Sequence, residues 1–208
     1  MKLIALISGG IDSPAAAYIM DRAGAEVTLL HMDNRPFADD ISFQKVKEIA
    51  EQLRSVTGSP FPLYSSPHGM SQDIISKTCD ANYQCVLCKR IMLKVAQEVG
   101  EKLGCSGIVM GDSLGQVASQ TLRNIRYSSF GLRVPVVRPL IGYDKLEIEA
   151  IAKQIGTYEI SIRHSNGCTI VPSKPITEAD LKKMQRFDSS LDIESLAKNA
   201  ADRAVKIS

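Results

Sequence analysis

An α/β fold built on an open parallel sheet is predicted by three features of the sequence. Short apolar runs bounded by turn residues alternate along the chain with longer stretches of helical periodicity. The first of those runs leads at once into paired glycines and a helix. Apolar residues make up 44% of the 208 residues, enough to bury a core in one domain with a small appendage.

The elements follow in order. Lys2–Ile7 reads as a buried strand, and Pro14–Met20 as a helix with Ser13 as its cap and Pro14 at its first position. Glu26–His31 is the second strand, entered through Gly24, with Met32-Asp33-Asn34 at the carboxyl end where parallel sheets bind ligands. Helical periodicity runs from Asp39 to Val56. Phe61–Tyr64 is a weak third strand because of its proline, and Ser66–Ser76 a short helix. Cys85–Leu103 is a strong helix, with Val86, Leu87, Ile91, Val95, Val99 and Leu103 among its apolar positions. Gly107–Met110 is the fourth strand, and Gly111-Asp112-Ser113 opens another helix. Val134–Val137 is the fifth strand, and Asp144–Ile155 a helix closed by Gly156. Past Pro175, Glu178–Gln185 and Asp192–Val205 read as two more helices. Residues 1–175 therefore form the sheet domain and residues 176–208 a helical extension packed on it.

The net charge of +2 gives no global basic signal for nucleic acid. No charged-then-apolar leader and no apolar run of about 18 residues are apparent. Five cysteines without an export signal point to reduced thiols, metal ligation or redox chemistry rather than a disulfide scaffold. The expectation is a cytoplasmic protein without a membrane span.

Ser8-Gly9-Gly10-Ile11-Asp12-Ser13 is a strand–glycine turn–helix junction. Adjacent glycines expose backbone N–H groups, and a helix N-terminus adds partial positive charge, so the junction suits a phosphate. The spacing is neither that of a Walker loop nor that of a dinucleotide fingerprint. The string resembles the SGGxDS signature of the PP-loop ATP pyrophosphatases. That resemblance implies an adenine nucleotide alpha hydrolase-like fold with five parallel strands in the order 3-2-1-4-5 and helices on both faces. It implies ATP with Mg²⁺ as cofactors, pyrophosphate contacts from Ser8, Gly9, Gly10, Asp12 and Ser13 with Ile11 in the same binding loop, and adenylation of a carbonyl oxygen with Asp12 as a catalytic group.

Gly111-Asp112-Ser113-Leu114-Gly115-Gln116-Val117-Ala118-Ser119-Gln120-Thr121 gathers an acid, hydroxyls and amides after a strand. The string resembles a segment of the 4-thiouridine synthetases, the enzymes that thiolate a uridine of tRNA. Arg138–Lys145, Ile155–Ser161 and Cys168 with Val171-Pro172 resemble the same family, and the resemblance runs to about Thr177. It implies that Gly111, Asp112, Ser113 and Gln120 contact ATP, as do His31 and Met32 on the adenine and ribose side. It also places a functional lysine at Lys145, facing phosphate. A lysine at a helix start is otherwise unfavourable against the helix dipole.

Cys85-Val86-Leu87-Cys88 is a CxxC at a helix start, where the dipole favours thiolates. It supplies two ligands, so a structural zinc site needs two more. With Cys168 on a loop over the same sheet edge, three thiols suggest an iron–sulfur cluster with one open iron. The family comparison implies either a [4Fe-4S] cluster on Cys85, Cys88 and Cys168, the triad of archaeal-type members that related 2-thiouridine synthetases use to hold such a cluster, or a persulfide on Cys168. Cys79 and Cys105 read as isolated thiols.

The leading expectation is an ATP-dependent sulfur transferase acting on uracil O4 of tRNA, with a sulfide or persulfide protein as donor. The alternatives are the same chemistry on a small molecule or sulfur carrier, and an ATP-binding module without turnover. The family's usual ferredoxin-like and THUMP segments are missing from the sequence, so a separate RNA-binding partner is expected. A homodimer is compatible with this reading. Arg35, Lys89, Arg90, Lys94, Arg123, Arg126, Arg133 and Arg138 are the residues from which a local basic face would be built.

Overall fold

The structure, a computed structural model, describes residues 1–208. Its strands are β1 (Lys2–Ile7), β2 (Glu26–Asp33), β3 (Leu63–Pro67), β4 (Ile108–Val109), β5 (Val136–Val137) and β6 (Val205–Lys206). They form one sheet in the order β5-β4-β1-β2-β3-β6. The first five pair in parallel and stand in the expected order 3-2-1-4-5. The sixth corrects the expected five-stranded sheet. β6 runs antiparallel along β3, with Tyr64 opposite Lys206 and Ser65 opposite Val205. It covers backbone groups that β3 would otherwise leave as an open edge.

The helices are α1 (Asp12–Arg22), α2 (Asp40–Thr57), α3 (Gly69–Thr78), α4 (Gln84–Lys102), α5 (Leu122–Ser129), α6 (Lys145–Gln154), α7 (Tyr158–Ile162), α8 (Leu181–Leu191) and α9 (Ile193–Asp202). β1 shows how they divide. Its side chains alternate, as strand geometry requires. Leu3, Ala5 and Ile7 enter a core shared with α1, α2 and α6. Ile4 and Leu6 enter another shared with α3, α4, α5, α8 and α9. Both faces of the sheet are thus covered, and the strands read as continuous apolar runs.

Several expected boundaries move. α1 starts at Asp12 with Ile11 at its cap position and no side-chain cap, so Ser13 and Pro14 lie inside its first turn. β3 begins at Leu63, because Phe61 turns at a positive φ of 33° and Pro62 follows it. No helix opens at Gly111. A short 3-10 turn at Ala118–Gln120 comes first, and then α5, capped by Thr121 through the N–H of Asn124. The last helix stops at Asp202, before β6.

The segment after residue 175 belongs to the same core. α9 lies along α4, and Met184, Leu191, Ile193 and Ala197 join the cluster that contains Leu87 and Ile91. Ion pairs mark the seam: Arg90 to Asp188 at 2.8 Å, and Lys94 to Glu194. No helix is long and apolar enough to cross a membrane.

Leu87 is fully buried at the centre of that seam, whereas Leu122 at the start of α5 is 70% exposed. Leu87→Ala is expected to lower unfolding stability by about 2–5 kcal/mol in a denaturant titration, through lost transfer energy and an unfilled cavity. Leu122→Ala should stay within about 0.5 kcal/mol.

Candidate active site

β1, β2 and β4 end on one side of the sheet, and the site lies there. The turn after β1 is closed by two hydroxyls. Ser8 N–H donates to Ser13 Oγ at 2.9 Å, the two Oγ atoms stand 3.1 Å apart, and Gly10 N–H donates to Ser8 Oγ at 3.3 Å. None of Gly9, Gly10 and Ile11 donates to a backbone carbonyl. The N–H groups of Gly9 and Ile11, at the start of α1, are open to an anion, and that of Gly10 is held by Ser8 Oγ.

The turn after β4 packs directly on this one. A Cβ on Gly111 would stand 2.9 Å from Ser13 Cα and N, so only glycine fits. The next residue, Asp112, is buried and bonded on both sides: Lys89 Nζ donates at 2.7 Å and Arg138 Nε at 3.0 Å. Burial pushes its carboxyl up, but Lys89 and Arg138 outweigh burial and hold it below the ordinary carboxylate value. Ser113 Oγ donates to Tyr143 O at 2.7 Å, tying this turn to the segment before α6.

Ser8, Gly10, Asp12, Ser13, Gly111 and Asp112 line one cleft of about 190 Å³, with Gln120 beside them. Burial pushes the Asp12 carboxyl up and the charge of Asp112 adds to this, while Lys145 and Lys89 pull it down. Lys145 is exposed at the first position of α6, after a capping box in which Asp144 and Glu147 each accept the other's N–H. Its positive charge lowers the Asp12 carboxyl. Gln120 is buried, and its Oε1 has no partner.

A second cavity of about 320 Å³ opens on the other side of the Ser8–Gly10 turn, at the end of β2. His31 is there, stacked on Phe43 with ring centroids 5.3 Å apart. Burial holds its imidazole below the ordinary histidine value. Met32 is not there: its side chain lies in the core with Leu6 and Leu30. Strand alternation sends it to the opposite face from its neighbours, and only its backbone borders the sheet edge.

The segment between α7 and Thr169 crosses this cavity and carries Cys168. Lys45 Nζ donates to Ser161 O at 2.7 Å and Arg163 O at 3.0 Å. Ser161 Oγ donates to Gly10 O at 3.3 Å. Asn166 N–H donates to Asp39 Oδ2 at 2.7 Å, and Thr169 N–H to Phe37 O at 2.9 Å.

These bonds bring Cys168 to a third cleft, of about 220 Å³, that it shares with Cys85 and Cys88. All five cysteines are free thiols. Gln72 Nε2 donates to Cys168 Sγ at 3.4 Å and lies 3.9 Å from Cys88 Sγ. His68 Nε2 lies 3.1 Å from the same Cys88 sulfur. Burial, then the neighbouring Cys168 and Cys85, push the Cys88 thiol up to about 12, and burial also raises Cys85. Burial takes His68 down to about 4, so it is neutral at pH 7. No three His, Cys, Asp or Glu side chains are grouped to hold a single metal ion. Cys79 and Cys105 lie apart from this cleft, against the core.

A family model described as "Thiamine biosynthesis protein (ThiI)" matches residues 1–193. The chain belongs to the ThiI family. Among ThiI-like relatives, a protein of Methanosarcina acetivorans named "Probable tRNA sulfurtransferase" is 41% identical over 207 residues, 99% of this chain and 50% of the relative. The structure of a 4-thiouridine synthetase–RNA complex with bound ATP superposes with a TM-score of 0.92 at 31% identity, covering all of this chain and 55% of that one. An NMN synthetase from Francisella tularensis shares the fold alone, with a TM-score of 0.57 at 12% identity over 94% of this chain and 86% of that one. The chain spans about half the length of the curated ThiI relatives it matches.

Seven of the eight basic residues considered for a basic face are paired with acids. Arg35 pairs with Asp33 and Asp40, Lys89 and Arg138 with Asp112, Arg123 with Glu178, and Arg133 with Glu98 and Glu101. Arg90 and Lys94 hold the α4 seam. The sequence reading missed Lys45, Gln72, His68 and the site role of Lys89. Lys45 had a signal. It sits four residues before Ile49, on the buried stripe of α2, where a lysine needs a reason.

Asp112→Asn tests the buried ion triad. Its carboxyl binds protons less readily folded than unfolded, so its stabilisation is fully present above the ordinary value of 3.8 and is lost as pH falls from there through the lower folded value. Asp112→Asn is expected to cost about 3–5 kcal/mol at pH 7 by leaving buried cations uncompensated. The cost should shrink toward pH 3 when stability is measured by denaturation across pH.

Proposed function

We propose that this chain carries out ATP-dependent sulfur transfer to uracil O4 of a tRNA uridine. The observation that carries the reading is the adjacency of the phosphate turn and the three-thiol cleft on one sheet edge. The names of the relatives, a tRNA sulfurtransferase and an ATP-bound 4-thiouridine synthetase–RNA complex, support it.

The Ser8–Ser13 turn holds the β- and γ-phosphates by N–H donation at the start of α1. Uracil O4 adds to the α-phosphorus, and pyrophosphate leaves with the electron pair of the broken P–O bond. The amide-like oxygen, a poor leaving group, has become part of a good one. Hydrosulfide then adds to C4, the C4–O bond breaks, and AMP leaves with that pair while the sulfur loses its proton. Lys145 faces the phosphates from α6. His31 and Phe43 offer a stacked surface for adenine.

Mg²⁺ fits at Asp12, whose carboxylate lines the phosphate cleft and is repelled by Asp112. Bound there, it would neutralise charge on the departing pyrophosphate. Cys85, Cys88 and Cys168 line one cleft, and Gln72 directs an amide N–H to Cys168 Sγ, a donor set that suits a cluster with three protein ligands. A [4Fe-4S] cluster on Cys85, Cys88 and Cys168 would supply an iron with an open position for hydrosulfide.

Purified protein with ATP and bulk tRNA is expected to release pyrophosphate and form thiolated uridine. Asp12→Ala and Ser13→Ala should abolish pyrophosphate release and leave the fold intact. Cys168→Ser should keep pyrophosphate release and lose thiolation. Anaerobic reconstitution should load iron and sulfide. Thiolation from a persulfide donor by iron-free protein would instead support sulfur carried on Cys168. Pyrophosphate release with a small carbonyl compound, and none with tRNA, would overturn the tRNA reading.

We further propose that a separate RNA-binding segment supplies most of the tRNA affinity. With seven of the eight basic candidates ion-paired, the chain alone should bind tRNA weakly at physiological salt, with a shallow slope of log K against log salt. A tight complex of the chain alone, measured by filter binding, would refute this.

A further inference from the structure

Lys89 is the one side chain that lines both the phosphate cleft and the thiol cleft. It follows Cys88 on α4 and is partly buried, with a side-chain exposure of 19%. On one side it shares a cleft with Ser8, Asp12 and Ser13, on the other with Cys85, Cys88 and Cys168. Its Nζ donates to Asp112 Oδ1 at 2.7 Å. An ammonium has three donors, and Asp112 occupies one of them. Asp112 also has Arg138, which is held in turn by Ser129 Oγ at 2.7 Å. Asp112 therefore stays paired if Lys89 shifts toward a ligand.

We propose that Lys89 is a catalytic residue of adenylation, donating to the α-phosphoryl oxygens as the substrate oxygen adds to phosphorus. The inference rests on the thiolation reading above for the identity of the attacking oxygen. With pyrophosphate in the Ser8–Ser13 turn, an in-line attack puts the carbonyl substrate on the far side of the α-phosphorus. Sulfur must then reach that substrate from the thiol cleft, so the α-phosphate lies at the boundary of the two clefts. Lys89 stands at that boundary. As the new P–O bond forms and the bond to the β-phosphate breaks, the α-phosphoryl oxygens keep their charge in a partly buried site. A fixed cation there acts more strongly than it would in water. Lys145, exposed at the start of α6, and Arg138 line neither cleft.

The test uses the whole chain with ATP and tRNA. Lys89→Ala is expected to lower kcat for pyrophosphate release about 100-fold, with KM for ATP changed less than about tenfold. Added ethylammonium should restore kcat at least tenfold without moving the melting temperature, which a purely structural lysine would not allow. Lys89→Arg keeps a cation beside Asp112 and covers failure of the alanine variant to fold; it should retain about a tenth or more of wild-type kcat. A kcat for Lys89→Ala within about threefold of wild type, a loss confined to KM, or a loss that neither ethylammonium nor arginine restores overturns the inference. Phosphorus NMR of bound ATP separates this from the thiolation reading, because it needs no tRNA. The α-phosphorus resonance should differ between wild type and Lys89→Ala, and an unchanged resonance overturns the role of Lys89 alone. Absent pyrophosphate release by wild type with tRNA overturns the thiolation reading alone.

Discussion

The buried carboxylate of Asp112 is the constraint on which the site's geometry depends. A carboxylate removed from water costs several kcal/mol unless it is paired, and here Lys89 and Arg138 both pair it. Those partners come from different places: Asp112 follows β4, Lys89 is on α4, and Arg138 follows β5. The triad therefore joins three elements at one point. Gly111 carries the constraint onward, because its missing Cβ lets this turn lie against Ser13. Since α4 also bears Cys85 and Cys88, the distance from thiols to phosphate turn is set through this one ionic junction.

Cys168 is placed by a different device. No strand or helix contains it, so its position depends on hydrogen bonds along residues 161–169. Lys45 is the chief of these. Its ammonium is buried without a carboxylate partner and is satisfied by two carbonyls and the Ser165 hydroxyl. That arrangement is affordable because each bond to a charged donor is stronger than a neutral one. Lys45 also packs beneath Gly9, where an added Cβ would stand 3.3 Å from its own Cβ and Cε. The phosphate turn and the strap that carries Cys168 therefore rest on the same side chain.

What could be read from the sequence divides along physical lines. The parallel strands and α4 were legible because burial on both faces leaves long apolar runs and a sustained helical stripe. The turn at Ser8–Ser13 was legible because paired glycines before a helix have few other uses. β6 was not, since a two-residue edge strand carries no periodicity and its pairing is set by where the chain returns. The late start of α5 was hidden for a related reason: Gly115 takes a positive φ of 77° and a 3-10 turn intervenes, while polar residues alone signal a cap equally well. Met32 and Lys89 show the limit for sites. Position after a strand suggested Met32, but strand alternation turned it into the core. Lys89 read as one of eight scattered cations, and only the fold set it between two clefts.

The same limit governs charge. A net charge of +2 over the whole chain carries little information about a cleft. Around Asp12 and Asp112, Lys89, Arg138 and Lys145 supply three positive charges against the two acids, a local excess of one that Lys45 beneath Gly9 raises to two. Such an excess is too small to hold a polyphosphate by charge alone. The directed N–H groups of the turn and the partial charge of α1 must do much of the binding. Burial first, and then repulsion by Asp112, makes Asp12 resist ionisation. A cation beside Asp12 relieves that repulsion and screens the phosphates together. The proposed Mg²⁺ and nucleotide would thus each improve the site for the other, and the cleft would favour the metal-bound nucleotide over the free one without any additional lysine.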